Sequence, residues 1–393
     1  MTRWPLTLPS WSQADLNTAA DSVRTGQLTM GARVKEFEHA FAKLVGARHA
    51  VMTNSGSSAN LLAVAALSYH PHHPLIKGSY RTAIVPAIAW STTYSPLHQH
   101  ELTLCVVDVD DTFGIDIEQV KHALTPDTRL IVAANILGVP ANMGELRFLA
   151  EARGIWLLED NCESLGAALG APYQRWCGTW GHVGTFSTFA SHQLGTGEGG
   201  MLVTDDPIVA ELAICLRAHG WARDLPVGSL LRPLNIASHA FKAAYDFLVP
   251  GYNLRPLEMQ AVLGLSQLPR LAAMQELRVK NAAYFRETMS DCPYLQQGIR
   301  GKPVPYGFVL IAQFVEHRAR TLMALDAVGI EYRMVTGGCF TQHPAAAHYL
   351  YTTHGTLPNA KRIHDCGFFI GNHAVDLSRE IDLLHKTLKG IKP

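Results

Sequence analysis

Three stretches of this 393-residue chain gather reactive side chains at short spacing. In Asn54-Ser55-Gly56-Ser57-Ser58-Ala59-Asn60, a glycine and three serines stand between a strand pattern and a helix pattern. Such a turn aims backbone N–H groups and hydroxyls at one point, which suits a phosphate. A plain strand-to-helix turn capped by serine has the same composition. Leu157-Leu158-Glu159-Asp160-Asn161-Cys162-Glu163 places two carboxylates at the carboxyl end of an apolar strand, where open parallel sheets bind ligands. Asp160 there either caps a helix or, if buried, needs a cationic partner. A protonated pyridine nitrogen would serve, because an adjacent carboxylate keeps such a ring charged and able to accept electrons. The third stretch, Thr185 to Gly200, carries hydroxyls, the imidazole of His192 and a Gly197-Glu198-Gly199-Gly200 turn.

The elements that must hold these groups are legible as alternating patterns. Strand-length apolar runs occur at Arg48–Thr53, Thr82–Pro86, Leu102–Val109, Leu130–Ala134, Ile155–Glu159, Val183–Thr188 and Gly200–Thr204. Helical periods fall between them at Ser57–Leu67, Ile117–Leu124, Gly144–Arg153 and Pro207–His219. Helical connections make a mostly parallel sheet, so the expected class is α/β. From Ala222 to Asn253 prolines and glycines mark a loop-rich stretch, followed by a long helical segment at Leu257–Met289. A boundary near residue 250 divides the chain into a large domain, 1–250, and a smaller C-terminal α+β domain, 251–393. That second part carries patterns at Gly307–Val315, Arg318–Val328 and Ser378–Lys389.

Composition narrows the partner. Lys+Arg and Asp+Glu each number 33, so no net positive field gathers nucleic acid or an anionic membrane, and a small molecule is favoured. The seven cysteines are odd in number and scattered, with no disulfide or zinc-ribbon spacing. No charged segment followed by an apolar run opens the chain, and no run reaches the ~20 apolar residues of a membrane span, so a cytoplasmic location is expected. The cluster His70, His72, His73 is interrupted by Pro71 and flanked by Pro74, with no carboxylate or cysteine beside it, and reads as a loop rather than a metal site.

In their order, these pieces resemble the sugar aminotransferase family of fold-type-I pyridoxal phosphate enzymes, the DegT family. The resemblance runs from Gly26–Met30 through the Asn54–Asn60 turn, Pro86-Ala87-Ile88-Ala89-Trp90-Ser91-Thr92-Thr93, Glu159–Glu163 and Ser187–Gly200. It continues at Gly251-Tyr252-Asn253-Leu254-Arg255 and Gly371-Asn372-His373. It implies that Gly56, Ser57, Ser58 and Ser187 bind the cofactor, the serines at its phosphate. It further implies that Trp90 stacks on the pyridine face, Asp160 pairs with the ring nitrogen, and Glu163 lies near the 3′-oxygen. Asn253 would reach across from a second subunit, making a homodimer with its site at the interface. Bland roles stay open: Trp90 also suits a core and Asn253 a turn.

One departure from the family matters more than the matches. Its aminotransferases carry a lysine five residues after the phosphate-binding serine, and this chain has His192 five residues after Ser187; no lysine lies between Lys121 and Lys242. Without that lysine the cofactor is held noncovalently. Histidine in this place is similar to the 3-dehydratases that deoxygenate nucleotide-linked 4-keto-6-deoxyhexoses. That resemblance implies pyridoxamine 5′-phosphate condensing with the C4 ketone and His192 moving a proton at the cofactor's C4′ carbon. The C3 hydroxyl then leaves, and an amino donor, glutamate, regenerates the amine. A lysine-independent transamination and a cofactor-free binding protein are the other readings. One dehydratase subtype binds an iron–sulfur cluster through a Cys-x-Cys pair just after Arg223-Asp224. This chain reads Leu225-Pro226-Val227 there, so no cluster is expected.

Overall fold

The alternating patterns fold into one eight-stranded sheet in the computed structural model, which describes residues 3–76, 78, 81–170, 175–231 and 245–392. In chain order the strands are β1 (His49–Thr53), β2 (Thr82–Pro86), β3 (Thr103–Val107), β4 (Thr128–Ala134) and β5 (Trp156–Asp160). A short pair follows, β6 (Ala168–Leu169) and β7 (Arg175–Trp176), then β8 (Val183–Ser187) and β9 (Gly200–Thr204). The C-terminal part adds β10 (Gly307–Ile311), β11 (Tyr351–Thr353) and β12 (Gly367–Gly371). The large sheet runs β1-β9-β8-β5-β4-β2-β3-β11. Only β9 opposes its neighbours, so the sheet is mostly parallel and its functional edge is the carboxyl end.

Helix Gly56–Ser68 is nearly all apolar after its serine turn, and Leu62 through Leu67 are fully buried. Burial on this scale is worth about 1.5–3 kcal/mol for each leucine or valine, which pins the helix start above the strand ends. That start is pressed hard against them. A Cβ on Gly56 would lie 2.5 Å from the Ser187 Cβ, and one on Gly200 would lie 2.3 Å from the Ser55 carbonyl oxygen. Glycine is required at both places by close approach.

The expected helix over 257–289 is two helices, Glu258–Gln267 and Leu271–Thr288, joined by a 3₁₀ turn at Leu268–Arg270. Pro269 is the cause, since it supplies no N–H and its ring crowds the preceding turn. Residues 232–244 of the expected loop-rich stretch, with Lys242, lie outside the described residues. Beyond residue 250, β10 and β12 pair antiparallel, and helices Leu271–Thr288, Val315–Val328 and Ser378–Lys389 pack together there. Several segments cross between the halves, and helix Glu258–Gln267 packs on helices Gln13–Arg24 and Ala32–Val45 of the first. β11 pairs in parallel with β3 at the large sheet's edge, and Trp4 bridges to Ile330, its ring edge-on to Phe308. No described helix is long and apolar enough to cross a membrane.

Candidate active site

The carboxyl ends of β4, β5 and β8, the start of helix Gly56–Ser68 and a C-terminal loop at Arg333–Thr336 enclose a cavity of about 310 Å³. Ser55 caps the helix by accepting the Ser58 N–H, while the N–H groups of Gly56 and Ser57 have no intrahelical acceptor. Gly56, Ser57 and Ser187 all line the cavity, and the helix dipole favours an anion there. The Ser57 hydroxyl is held 2.7 Å from Thr92 Oγ1. Ser58 is turned instead toward Ser55 Oγ, 3.0 Å away, and is not among the lining residues.

Strand alternation separates the two carboxylates that end β5. Glu159 points away into a fully buried nest, accepting from the Asn135 amide and from the Trp180 and Gly181 N–H groups. Asp160 faces the cavity. Its Oδ2 accepts from Asn60 Nδ2 at 2.8 Å and Thr93 Oγ1 at 2.7 Å, and its Oδ1 from the Cys162 N–H at 3.1 Å. Asn60 is itself fixed by the Thr185 hydroxyl at 2.6 Å. Every described partner of Asp160 is neutral, so this buried carboxylate is built to face a cation that the side chains around it do not supply. A protonated pyridine nitrogen would meet that need, and the serine turn lines the same cavity. Trp90, 52% exposed, stands at the cavity's side as the N-cap residue of helix Ser91–Gln99.

His192 lines the same cavity, and no lysine does among the described residues. Its Nδ1 lies 3.3 Å from the Ser187 carbonyl oxygen. A carbonyl only accepts, so Nδ1 carries the proton and Nε2 is left as a base. The Tyr306 ring meets the imidazole edge-on at 5.2 Å. Burial pushes His192 down to about 4, and buried Arg278 adds to the effect, so the ring is neutral at physiological pH. In histidine-labelled protein, the His192 nitrogen resonances should therefore titrate near pH 4. A midpoint near 6.5 would mean that the ring is solvated and that this geometry is wrong.

Glu163 also lines the cavity, held by the Leu137 N–H and the Thr336 hydroxyl. Asn253 does not: it is exposed, and its Oδ1 accepts from Arg255 Nε at 3.0 Å. Sequence reasoning did not single out Tyr306, Arg333, Thr336 or Phe369, which close the cavity from the C-terminal part. They sit in no motif and arrive only through tertiary packing. Asn60 and Thr93 did lie inside quoted segments; a buried aspartate's need for neutral donors is the signal that points to them. His70, His72 and His73 form the expected loop. The His70 Nδ1 accepts the His72 and His73 N–H groups, and its Nε2 lies 3.5 Å from Asp206 Oδ2.

Residues 9–380 match the model of the DegT/DnrJ/EryC1/StrS aminotransferase family. The chain is 40% identical to GDP-4-keto-6-deoxy-D-mannose 3-dehydratase of Escherichia coli O55:H7 (strain CB9615 / EPEC), over 99% of this chain and 100% of that one. A solved structure of an E. coli GDP-4-keto-6-deoxy-D-mannose-3-dehydratase with bound hydrated PLP superposes with a TM-score of 0.94 at 39% identity, covering 99% of this chain and 100% of that one. A GDP-4-keto-6-deoxymannose-3-dehydratase with a trapped PLP-glutamate geminal diamine gives a TM-score of 0.91 at 38% identity, covering 98% and 100%. From the serine turn through the mostly parallel sheet to the C-terminal small pair of strands, sequence and fold agree with these relatives, and the chain belongs to the DegT/DnrJ/EryC1/StrS aminotransferase family.

Proposed function

We propose that this protein is a pyridoxal/pyridoxamine 5′-phosphate-dependent 3-dehydratase that removes the C3 hydroxyl of a GDP-linked 4-keto-6-deoxyhexose, with glutamate restoring the amine form of the cofactor. The observation that carries the reading is His192. Its neutral imidazole lines a cavity where the family's aminotransferases use lysine, together with a buried Asp160 whose described partners supply no cation. The near full-length similarity to enzymes named for GDP-4-keto-6-deoxymannose supports the choice of nucleotide and hexose.

The residues divide the work by position. When bound, the cofactor supplies an electron sink for carbanion chemistry. Gly56, Ser57 and Ser187 would hold its phosphate, and Asp160, fixed by Asn60 and Thr93, would keep its ring nitrogen protonated. Trp90, which lines the cavity, would stack on the ring. His192, oriented through Nδ1 by the Ser187 carbonyl, takes and returns a proton through Nε2 without forming a bond to the cofactor. Arg333, exposed at the cavity wall, offers an anion contact to glutamate or to the diphosphate. The protein works as a cytoplasmic homodimer in which the exposed Asn253 of one protomer reaches its partner's cofactor site, beside the exposed Trp90 and Phe189.

The test is incubation with pyridoxamine phosphate, glutamate and a panel of nucleotide-linked 4-keto sugars, with products read by mass. The expected product is the 3-deoxy-4-keto sugar on GDP. In parallel, borohydride treatment of the pyridoxal form should leave the denatured protein mass unchanged. A 4-amino sugar as the main product, or a reduced pyridoxyl group on a lysine, would overturn the reading.

A further inference from the structure

The bond from His192 Nδ1 to the Ser187 carbonyl, 3.3 Å long, lies beyond the usual range for N–H···O contacts. It settles which nitrogen carries the proton, but a single long bond does not fix the plane of the ring. Nε2 serves as a base only when it points at the reacting carbon, so something else must hold that plane. Two aromatic rings meet the imidazole nearly at right angles, Tyr306 at 5.2 Å and Phe189 at 6.0 Å. Phe189 is 39% exposed and can turn away, whereas Tyr306 is 9% exposed and tied down along its length. Its N–H donates to the Leu137 carbonyl, its hydroxyl lies 3.2 Å from Ser191 Oγ, and its ring packs on Phe369. Its carbonyl accepts the Asn372 N–H at 3.1 Å, and Asn372 belongs to a buried lock behind it. Asn372 Nδ2 donates to the Pro305 carbonyl at 2.8 Å and to the Arg278 carbonyl at 2.9 Å. Its Oδ1 accepts from Asn281, and its own carbonyl accepts from the Arg278 guanidinium.

We propose that Tyr306 is a positioning residue for the reaction: locked from behind by Asn372 and Arg278, its ring fixes the plane in which His192 presents Nε2. The proposal rests on the reading of His192 as the base. Tyr306 gives up no proton of its own, since burial raises its phenol above the ordinary value and the hydroxyl is engaged with Ser191. The charge of buried Arg278 works in the same direction, disfavouring a second proton on His192. His192 moves hydrogen at carbon in both half-reactions, so the sugar and glutamate reactions depend on Tyr306 alike. When the ring plane is lost, Nε2 spends less time in line with the carbon and proton transfer becomes the slow step.

Two substitutions test this. Tyr306→Phe keeps the ring, and Tyr306→Met fills its space with a flexible apolar chain. At saturating glutamate, the rate of amine formation read by cofactor absorbance should fall ~10- to 10²-fold in Tyr306→Met, the scale of a misplaced reacting group. Tyr306→Phe should stay near the parent rate. Glutamate deuterated at its α-carbon should show a larger isotope effect in Tyr306→Met than in the parent, because hydrogen transfer is then slower than the other steps. The absorbance amplitude, which counts cofactor-loaded protein, should not change. A parent-like rate or isotope effect in Tyr306→Met would overturn the proposal, as would equal losses in both variants. A loss of amplitude or of cofactor binding with the rate and isotope effect unchanged would reduce Tyr306 to a support of the fold, which also overturns it. The glutamate reaction needs no sugar. Wild-type protein that forms the amine yet dehydrates no nucleotide sugar would sink the dehydratase reading and leave the Tyr306 result standing.

Discussion

His192→Asn removes deoxygenation, by at least the ~10²-fold typical of losing a positioned acid–base group, and leaves the cofactor bound. Asparagine has no nitrogen that takes a proton at neutral pH, so neither the sugar nor the glutamate half-reaction can move hydrogen at carbon. The cradle at Gly56, Ser57 and Ser187 and the carboxylate of Asp160 are untouched. Equilibrium dialysis for the cofactor and product mass for the reaction separate the two effects. His192→Lys is the informative companion. Lysine would form a Schiff base with the pyridoxal form and would still shuttle protons, so a covalent mass adduct after borohydride should appear. Deoxygenation should fall on a similar scale, with 4-amino sugar appearing because lysine returns the proton to the sugar carbon. Dehydration by His192→Asn at near the parent rate would remove His192 from the mechanism.

Asp160→Asn should lose on the order of 10²–10³-fold in glutamate-driven conversion of the cofactor, the scale of deleting one preorganised electrostatic group in a water-poor site. Asn60 Nδ2 and Thr93 Oγ1 both donate to Oδ2, and the Cys162 N–H donates to Oδ1. An amide keeps one acceptor, so whichever way it turns, its NH₂ meets a donor. The ring nitrogen would also lose the negative charge that holds its proton. Cofactor affinity should drop alongside the rate, whereas His192→Asn affects only the rate. Stopped-flow absorbance after glutamate addition reads the first quantity, and an unchanged amplitude and rate would show that Asp160 is not the ring's partner.

The large sheet was legible because each strand is a short apolar run bounded by helical periods, and Asp160 was placed correctly at a strand's end. The boundary moved by one residue, from Glu159 to Asp160, which brings the cavity-facing carboxylate into the strand and fixes its side by alternation. The break at Pro269 was written in the sequence and overridden by the strong apolar period on either side. What could not be read was the far wall of the cavity. Tyr306, Arg333 and Thr336 are ordinary residues in sequence, and only the packing of the C-terminal part against the cavity gives them a role. The roles of Leu137 and Thr336 depend on backbone conformation, φ above zero in residues with no sequence mark for it.

The bridge between the chain's two ends bears on how the protein is made. Trp4 Nε1 donates to the Gly371 carbonyl, the Leu6 N–H to Glu331, and His373 Nε2 meets the Pro5 carbonyl at 2.8 Å. Residues 4–6 therefore wait for partners more than 300 positions further along before the C-terminal half can close. Sequence separations this long slow the final folding step, because loop entropy is lost before the contact is gained. Asn372, between those partners, also accepts the guanidinium of buried Arg278 at its carbonyl, and Arg278 lies in the electrostatic surroundings of His192 and Tyr306. Loss of the contacts at Trp4, Pro5 and Leu6 thus acts on the catalytic layer itself.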